Sequence, residues 1–376
     1  MPMTALLDSF LAHAADRPNA DAIIESRRGR DQALSFAGLD ERSERAASFL
    51  RETGVRPGMR VLVLHSLSIE LYVSVLALFR LGATVVLIDP GLGKPAFEQA
   101  AQQANCAAII ADWRLGCLRW LRPSLRRISL GVAVGGTSPG WRRWSRYRKH
   151  PADAHIEPVP ANHPALLTFT SGSTGQPKGI VRSHGFLLQQ RAALAETLAL
   201  HPGQRDLTTL PVFVLANLAC GVTTILAEAD LRRPGFIDPH PVLRQIERLK
   251  PTRSTAAPAF FQRLLDAAHG HPRALAGFKR IDTGGGPVTL PFLQALDQAC
   301  SGADTFALYG STEAEPIARL AASHLPEPPA SVSLPGLPAG QISDHLSCRI
   351  IADQWGDPIP DQNDSTFAKM TLPPGQ

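Results

Sequence analysis

Apolar positions along the first part of the chain alternate between two rhythms. Residues 5–15 repeat at helical spacing and 22–25 read as a short strand. Ser35 can cap a helix running to about Thr53, with Gly54 closing it. Residues 60–65 are an apolar run of strand length, 69–81 return to helical spacing before Gly82, and 83–88 are again a strand. The turn Asp89-Pro90-Gly91 follows, then a helix over 97–105 and a strand over 107–111. Further on, 187–198, 241–249 and 258–268 predict helices, and 208–213 and 254–257 predict strands. Residues 280–283 predict a strand that runs into Gly284, Gly285 and Gly286. Strands alternating with helices imply an α/β fold, mostly parallel wound sheets with helices on both faces, joined by right-handed crossovers. The expected organisation is two stacked subdomains, residues 1–160 and 161–333, with 159–163 as linker. The start of a β-rich third piece is expected over 334–376, where 349–352 and 356–359 fit a hairpin.

Charge interrupts this rhythm once. The 376 residues carry a net charge of +5, yet residues 113–150 hold ten Lys or Arg and no Asp or Glu, leaving the remainder net negative. Trp113, Trp120, Trp141, Trp144 and Tyr147 are interleaved with those cations. The insertion suits docking of an acidic acyl carrier protein, contact with an anionic membrane surface, or a solvated segment whose aromatics pack down. Nucleic-acid binding is not expected, because no recognised module accompanies the pattern. The uncharged stretch 207–227 contains Pro211, Asn217 and Gly221 and reads as a buried strand and helix rather than a transmembrane segment. Five scattered cysteines without paired spacing suit a reduced cytoplasmic setting and offer no zinc or disulfide framework.

The candidate chemistry centres on 165–184. Thr170, Ser171, Gly172, Ser173, Thr174 and Gly175 form a run of small and hydroxyl residues, followed by Gln176-Pro177-Lys178-Gly179. Glycines let backbone N–H groups approach a ligand, the hydroxyls add donors, and Lys178 adds one mobile charge. A concave run of amides binds anions, and a triphosphate has the right size and charge. The expected geometry is a cup over 170–179. A Walker A loop is excluded, because Pro177 stands where its Gly-Lys pair would begin.

This stretch resembles the phosphate loop of the AMP-forming acyl-adenylating enzymes, which include acyl-CoA synthetases, aryl-acid ligases and adenylation domains. The turn Asp89-Pro90-Gly91-Leu92-Gly93 is most similar to the long-chain acyl and β-lactone synthetase branch. Gly284, Gly285 and Gly286 resemble that family's adenine-binding strand end, and Tyr309-Gly310-Ser311-Thr312-Glu313 resembles its second signature. The resemblance implies roles. Tyr309 stacks on adenine, Thr312 donates to the α-phosphate, and Glu313 supplies an oxygen to Mg²⁺ on ATP. Lys178, Thr312 and Glu313 are the implied catalytic set. The family often has His after the Pro-x-Phe turn. Here the turn is Pro211-Val212-Phe213 and Val214 follows, so Phe213, Val214 and Asn217 imply an apolar acyl pocket. The implied reaction is ATP-dependent activation of a fatty, β-hydroxy or aryl acid to an acyl-adenylate, releasing pyrophosphate. The acceptor would be the thiol of CoA or of a carrier phosphopantetheine, or the substrate's own β-hydroxyl. A non-catalytic nucleotide- or acyl-binding module is the alternative. The family's mobile C-terminal domain has no counterpart in this sequence, so the large N-terminal domain alone is expected, with weak turnover.

Overall fold

The structure is a computed structural model that describes residues 5–118, 122–171, 176–268, 275–325, 336–352 and 370–372. Among them the chain builds, in order, α1 (Ala5–Asp16), β1 (Asp21–Arg27), β2 (Arg30–Ser35), α2 (Phe36–Thr53), β3 (Arg60–Leu64), α3 (Ile69–Arg80), β4 (Thr84–Ile88), α4 (Lys94–Ala104) and β5 (Ala108–Asp112). Then come α5 (Trp113–Leu118), α6 (Pro123–Arg126), β6 (Leu130–Val134), β7 (Arg142–Arg143), β8 (Pro164–Ser171), β9 (Pro177–Ser183), α7 (His184–Thr197), β10 (Arg205–Thr208), α8 (Pro211–Ala219) and β11 (Thr223–Leu226). The chain continues through α9 (Pro239–Leu249), β12 (Arg253–Ala256), α10 (Pro258–Ala268), β13 (Arg280–Gly284), α11 (Leu290–Ala299), β14 (Asp304–Tyr309), β15 (Ala318–Ala321) and β16 (Gln341–Ile342).

The strands form two mostly parallel sheets, as the alternating rhythm predicts. One has the order β16-β15-β14-β13-β12-β10-β11-β1-β2 and the other β7-β6-β5-β3-β4-β8-β9. Antiparallel pairs occur at the edges of both sheets: β1 with β2, β14 with β15, β15 with β16, and β8 with β9. Apolar residues of both sheets and of α1, α2, α3 and α8 share one buried core. A second core lies between the larger sheet and α9 and α10. A third lies between the smaller sheet and α4. Strands buried on both faces read as continuous apolar runs, which is why β3, β4 and β5 were legible.

Caps mark the helix ends. The Ser35 hydroxyl accepts from the Gly38 N–H, and Gly54 closes α2 at φ 110°. The helix after the hairpin starts where Ser183 caps it.

Four expectations need correction or closer placement. The expected boundary at residue 160 does not follow sheet membership. β8 and β9 complete the first sheet beside β4, while β1 and β2 extend the sheet built by the later residues. The strand expected over 208–213 ends at Thr208, because Pro211 takes the first turn of α8, where its missing N–H costs nothing. The basic insertion is an integrated part of the smaller sheet. Trp144 and Tyr147 are buried in the main core, and Trp141 lies so close to Gly131 that a Cβ there would meet its ring at 2.3 Å. Trp120 lies outside the described residues, as does most of the hairpin expected over 349–359. Near it, β16 pairs with β15, and Ile351 bridges Thr371. No helix among the described residues is long and apolar enough to cross a membrane.

A buried polar cluster joins α7 to the larger sheet. Arg253 is 1% exposed and donates to Asp282 at 2.8 Å and to the Leu198 carbonyl at 2.6 Å. Arg280 and Arg319 donate to the Thr197 carbonyl at 2.7 and 2.9 Å. Three guanidinium groups therefore satisfy carbonyls that the helix end leaves free, where the macrodipole favours positive charge. Asp206 and Asp282 are fully buried beside Arg253. Replacing Arg253→Ala leaves Asp206 without its cation and Asp282 with Arg280 alone, and we expect a loss of about 3–5 kcal/mol in chemical denaturation.

Two histidines, His184 buried and His65 half-buried, give the fold a pH dependence. Burial pushes His65 and His184 down from 6.5 to about 4. Both stay neutral in the folded chain while the unfolded chain protonates below pH 6.5, so stability present above 6.5 is lost as pH falls toward 4. The His184 ring packs edge-on against Phe79 at 5.5 Å. His184→Phe should retain that packing and lose less stability between about pH 7 and about pH 5, read from urea midpoints.

Candidate active site

The site is built where strands β12, β13 and β14 reach their carboxyl ends, the usual place for ligands in parallel sheets. A cleft opens there, with about 340 Å³ of unfilled space when the open solvent at its mouth is included. Its apolar walls are Leu194, Leu210, Phe213 and Leu308, and Thr255, Gly284, Gly285, Tyr309, Gly310, Glu315 and Pro316 complete it. Two of its glycines are required by the backbone. A Cβ on Gly284 would meet the Leu308 carbonyl oxygen of the neighbouring strand at 2.6 Å, and Gly285 turns at φ +76°. Tyr309 is 55% exposed, so its ring face is not used by the core.

After Tyr309 the chain reverses into β15. Ser311 and Ala314 exchange backbone hydrogen bonds at 2.8 and 3.2 Å, which leaves Thr312 and Glu313 at the tip of a tight turn. Glu313 is exposed there. The turn is held from outside its own sheet. Arg182 on β9 is 2% exposed and donates to the Thr312 carbonyl through Nε at 3.2 Å and Nη2 at 2.7 Å. Burial lowers the Arg182 pKa, and the charges of Glu315 and Glu313 oppose that shift. Burial raises the Glu315 carboxyl above its ordinary range, and Arg182 opposes that in turn.

Arg182 belongs to the hairpin that carries the phosphate-loop sequence. Both ends of the span 170–179, where a cup was expected, are strand. Thr170 pairs with Lys178 and Ser171 with Pro177 as the last rungs of β8 and β9. Pro177 fits there because the hairpin end asks no ladder N–H of it. Gly172, Ser173, Thr174 and Gly175 lie outside the described residues. Lys178 is exposed at the hairpin end.

Of the other expected site residues, Phe213, Gly284, Gly285, Tyr309 and Gly310 line one cleft. Gly286 and Ser311 adjoin it in sequence without lining it. Val214 is fully buried in the main core, and the Asn217 amide donates to Asp206 at 2.7 Å and Thr224 at 3.2 Å. These three pocket candidates separate because α8 turns successive residues to different sides, where a strand would have alternated them. Glu315 and Arg182 carried no expected role. Their signal was weak: β9 exposes Val181 and buries Arg182, the reverse of what the residue types suggest.

Comparison with known proteins identifies the family. The model of the AMP-binding enzyme family matches residues 10–364, so the chain belongs to that family. It is 34% identical over 299 residues to the olefin beta-lactone synthetase of Xanthomonas campestris pv. campestris, covering 77% of this chain and 52% of that protein. It is 32% identical over 321 residues to the olefin beta-lactone synthetase of Stenotrophomonas maltophilia, covering 81% of this chain and 57% of that protein. The chain thus spans about half the length of these relatives. The acetoacetyl-CoA synthetase of Streptomyces lividans shares the fold at a TM-score of 0.76 with 23% identity, covering 95% of this chain and 58% of that one.

The forked bond from Arg182 is a strong local constraint. Arg182→Lys, which cannot reproduce two parallel donors, should cost about 1.5–3 kcal/mol in urea unfolding. An unchanged midpoint would show that the turn is held some other way.

Proposed function

We propose that this chain activates a carboxylic acid with ATP, forming an acyl-adenylate and pyrophosphate. The observation that carries this reading is the convergence of three parts. The cleft presents the Gly284–Gly285 edge beside the free face of Tyr309. The Thr312–Glu313 turn adjoins it in the chain. Arg182 binds that turn to the phosphate-loop hairpin.

In this reading adenine rests on Tyr309 against the glycine edge, and the apolar walls take the acid's chain or ring. The hairpin amides and hydroxyls of 170–175, with Lys178, receive the phosphates. Thr312 donates to the α-phosphate. Two anions must meet, so countercharge and alignment are what the protein has to supply. Glu313 is a single exposed carboxylate, and no cluster of three metal-binding side chains exists among the described residues. That donor set fits Mg²⁺ arriving on a triphosphate, since this ion keeps waters and phosphate oxygens and needs only one or two carboxylates. The ion would supply positive charge to the phosphate oxygens, and Glu313 would hold it.

For the acyl acceptor, two readings have specific support. The identity to olefin beta-lactone synthetases favours a β-hydroxy acid whose own hydroxyl captures the acyl group. Transfer to a thiol of CoA or of an acidic acyl carrier protein is favoured by the basic face. Arg143, Arg146 and Lys149 are exposed there without an ion pair among the described residues, while Arg142 and Arg148 are paired with Glu52 and Glu70.

Acid-dependent ATP–pyrophosphate exchange across a panel of fatty, β-hydroxy and aryl acids tests the proposal. We expect exchange with at least one apolar acid and a fall of about 10²–10³ in Glu313→Gln, the scale for losing one charge-stabilising group. ATP binding without exchange for any acid would instead favour a nucleotide- or acyl-binding module.

A further inference from the structure

Glu315 is the carboxylate among the residues that line the cleft. Two other side chains of the lining carry polar atoms. The Thr255 hydroxyl donates to Asp206 at 3.3 Å, and Tyr309 is largely exposed. Glu315 itself receives no hydrogen bond from any described residue. Both donors of Arg182 with a partner go to the Thr312 carbonyl, and Arg182 acts on Glu315 through its charge alone. Glu315 is only partly buried, and an occupant that displaces water from its carboxylate must bring a donor in its place.

The chemistry of that donor can be narrowed. An ammonium would meet a carboxylate whose charge is already countered, and would be repelled by buried Arg182. A neutral hydroxyl needs only a lone pair, and carboxylate oxygens offer several. The walls of Leu194, Leu210, Phe213 and Leu308 require that the hydroxyl sit on an apolar skeleton.

We propose that Glu315 is a specificity-determining residue that accepts a hydrogen bond from a hydroxyl group borne by the acid in the cleft. The inference rests on the acid-activating reading only in putting a carboxylic acid there. It selects hydroxy acids over their plain counterparts, and it does so at the binding step. Sites that hydrogen-bond a substrate hydroxyl discriminate against the analogue lacking it, because the protein group is then left unpaired.

The test is equilibrium binding of β-hydroxydecanoate and decanoate to the full chain by titration calorimetry, with ATP–pyrophosphate exchange run alongside. The chain should bind the hydroxy acid about ten- to a hundredfold more tightly, as for a hydrogen bond to a charged group. In Glu315→Leu that preference should vanish, with decanoate binding kept or improved. Glu315→Gln, which keeps a carbonyl acceptor and nearly the same volume, should retain part of the preference and tests the idea even if the leucine variant does not fold. Equal binding of the two acids by the unaltered chain would overturn the proposal. So would binding of neither acid, or an unaltered preference in either folded variant, which would leave Glu315 as no more than a countercharge for Arg182. Selective binding of the hydroxy acid without any exchange would support the role of Glu315 while counting against adenylation.

Discussion

One buried guanidinium holds the two halves of this molecule in working relation. Arg182 leaves the hairpin of the smaller sheet and ends on the carbonyl of Thr312, in a turn that belongs to the larger sheet. Its side chain is shielded from water, so the forked bond is not diluted by solvent competition. Two acidic side chains from the same turn region, Glu313 and Glu315, hold its charge in place. The phosphate-loop hairpin and the turn after β14 come from residues about 130 apart in sequence. Beside the apolar core that both sheets share, this bond links the two segments directly.

The same segment is fastened again at its far end. The helix α7 follows the hairpin directly and finishes under Arg253, Arg280 and Arg319, which come from β12, β13 and β15. The stretch from Pro177 to Leu198 therefore runs from one sheet to the other and is tied to the larger sheet at both ends. Between the ties, Leu194 contributes a wall of the cleft. Buried arginines are expensive unless each donor finds a partner, and here helix-end carbonyls and buried aspartates supply most of them. The shape of the cleft is thus set by polar contacts as much as by the apolar packing around it.

Much of this was readable in the sequence where one local rule governs the outcome. Ser35 and Gly54 bracket α2 because caps are local chemistry, and β3, β4 and β5 stand out because strands buried on both faces must be apolar throughout. The glycines at 284 and 285 and Tyr309 line the cleft at the strand ends where the sequence put a run of glycines. What escaped were features decided by distant neighbours. The sheet that β8 and β9 join depends on β4, far back in the chain. Pro211 was read within a strand, although its place at a helix start separates Phe213 from Val214 and Asn217. Arg182 and Glu315 look like surface charges in sequence, and only tertiary packing turns both inward. The aromatics of the basic insertion were left open between packing and docking; Trp141, Trp144 and Tyr147 pack, and exposed cations remain around them.

The central claim is that the phosphate-loop hairpin and the strand-end cleft form one nucleotide site across the two sheets. A crystal structure of the chain with a non-hydrolysable ATP analogue and Mg²⁺ tests it most directly. The account predicts the adenine against Tyr309 and the Gly284–Gly285 edge, with the triphosphate reaching toward residues 172–178. A nucleotide bound away from that cleft, or phosphates directed away from the hairpin, would contradict it.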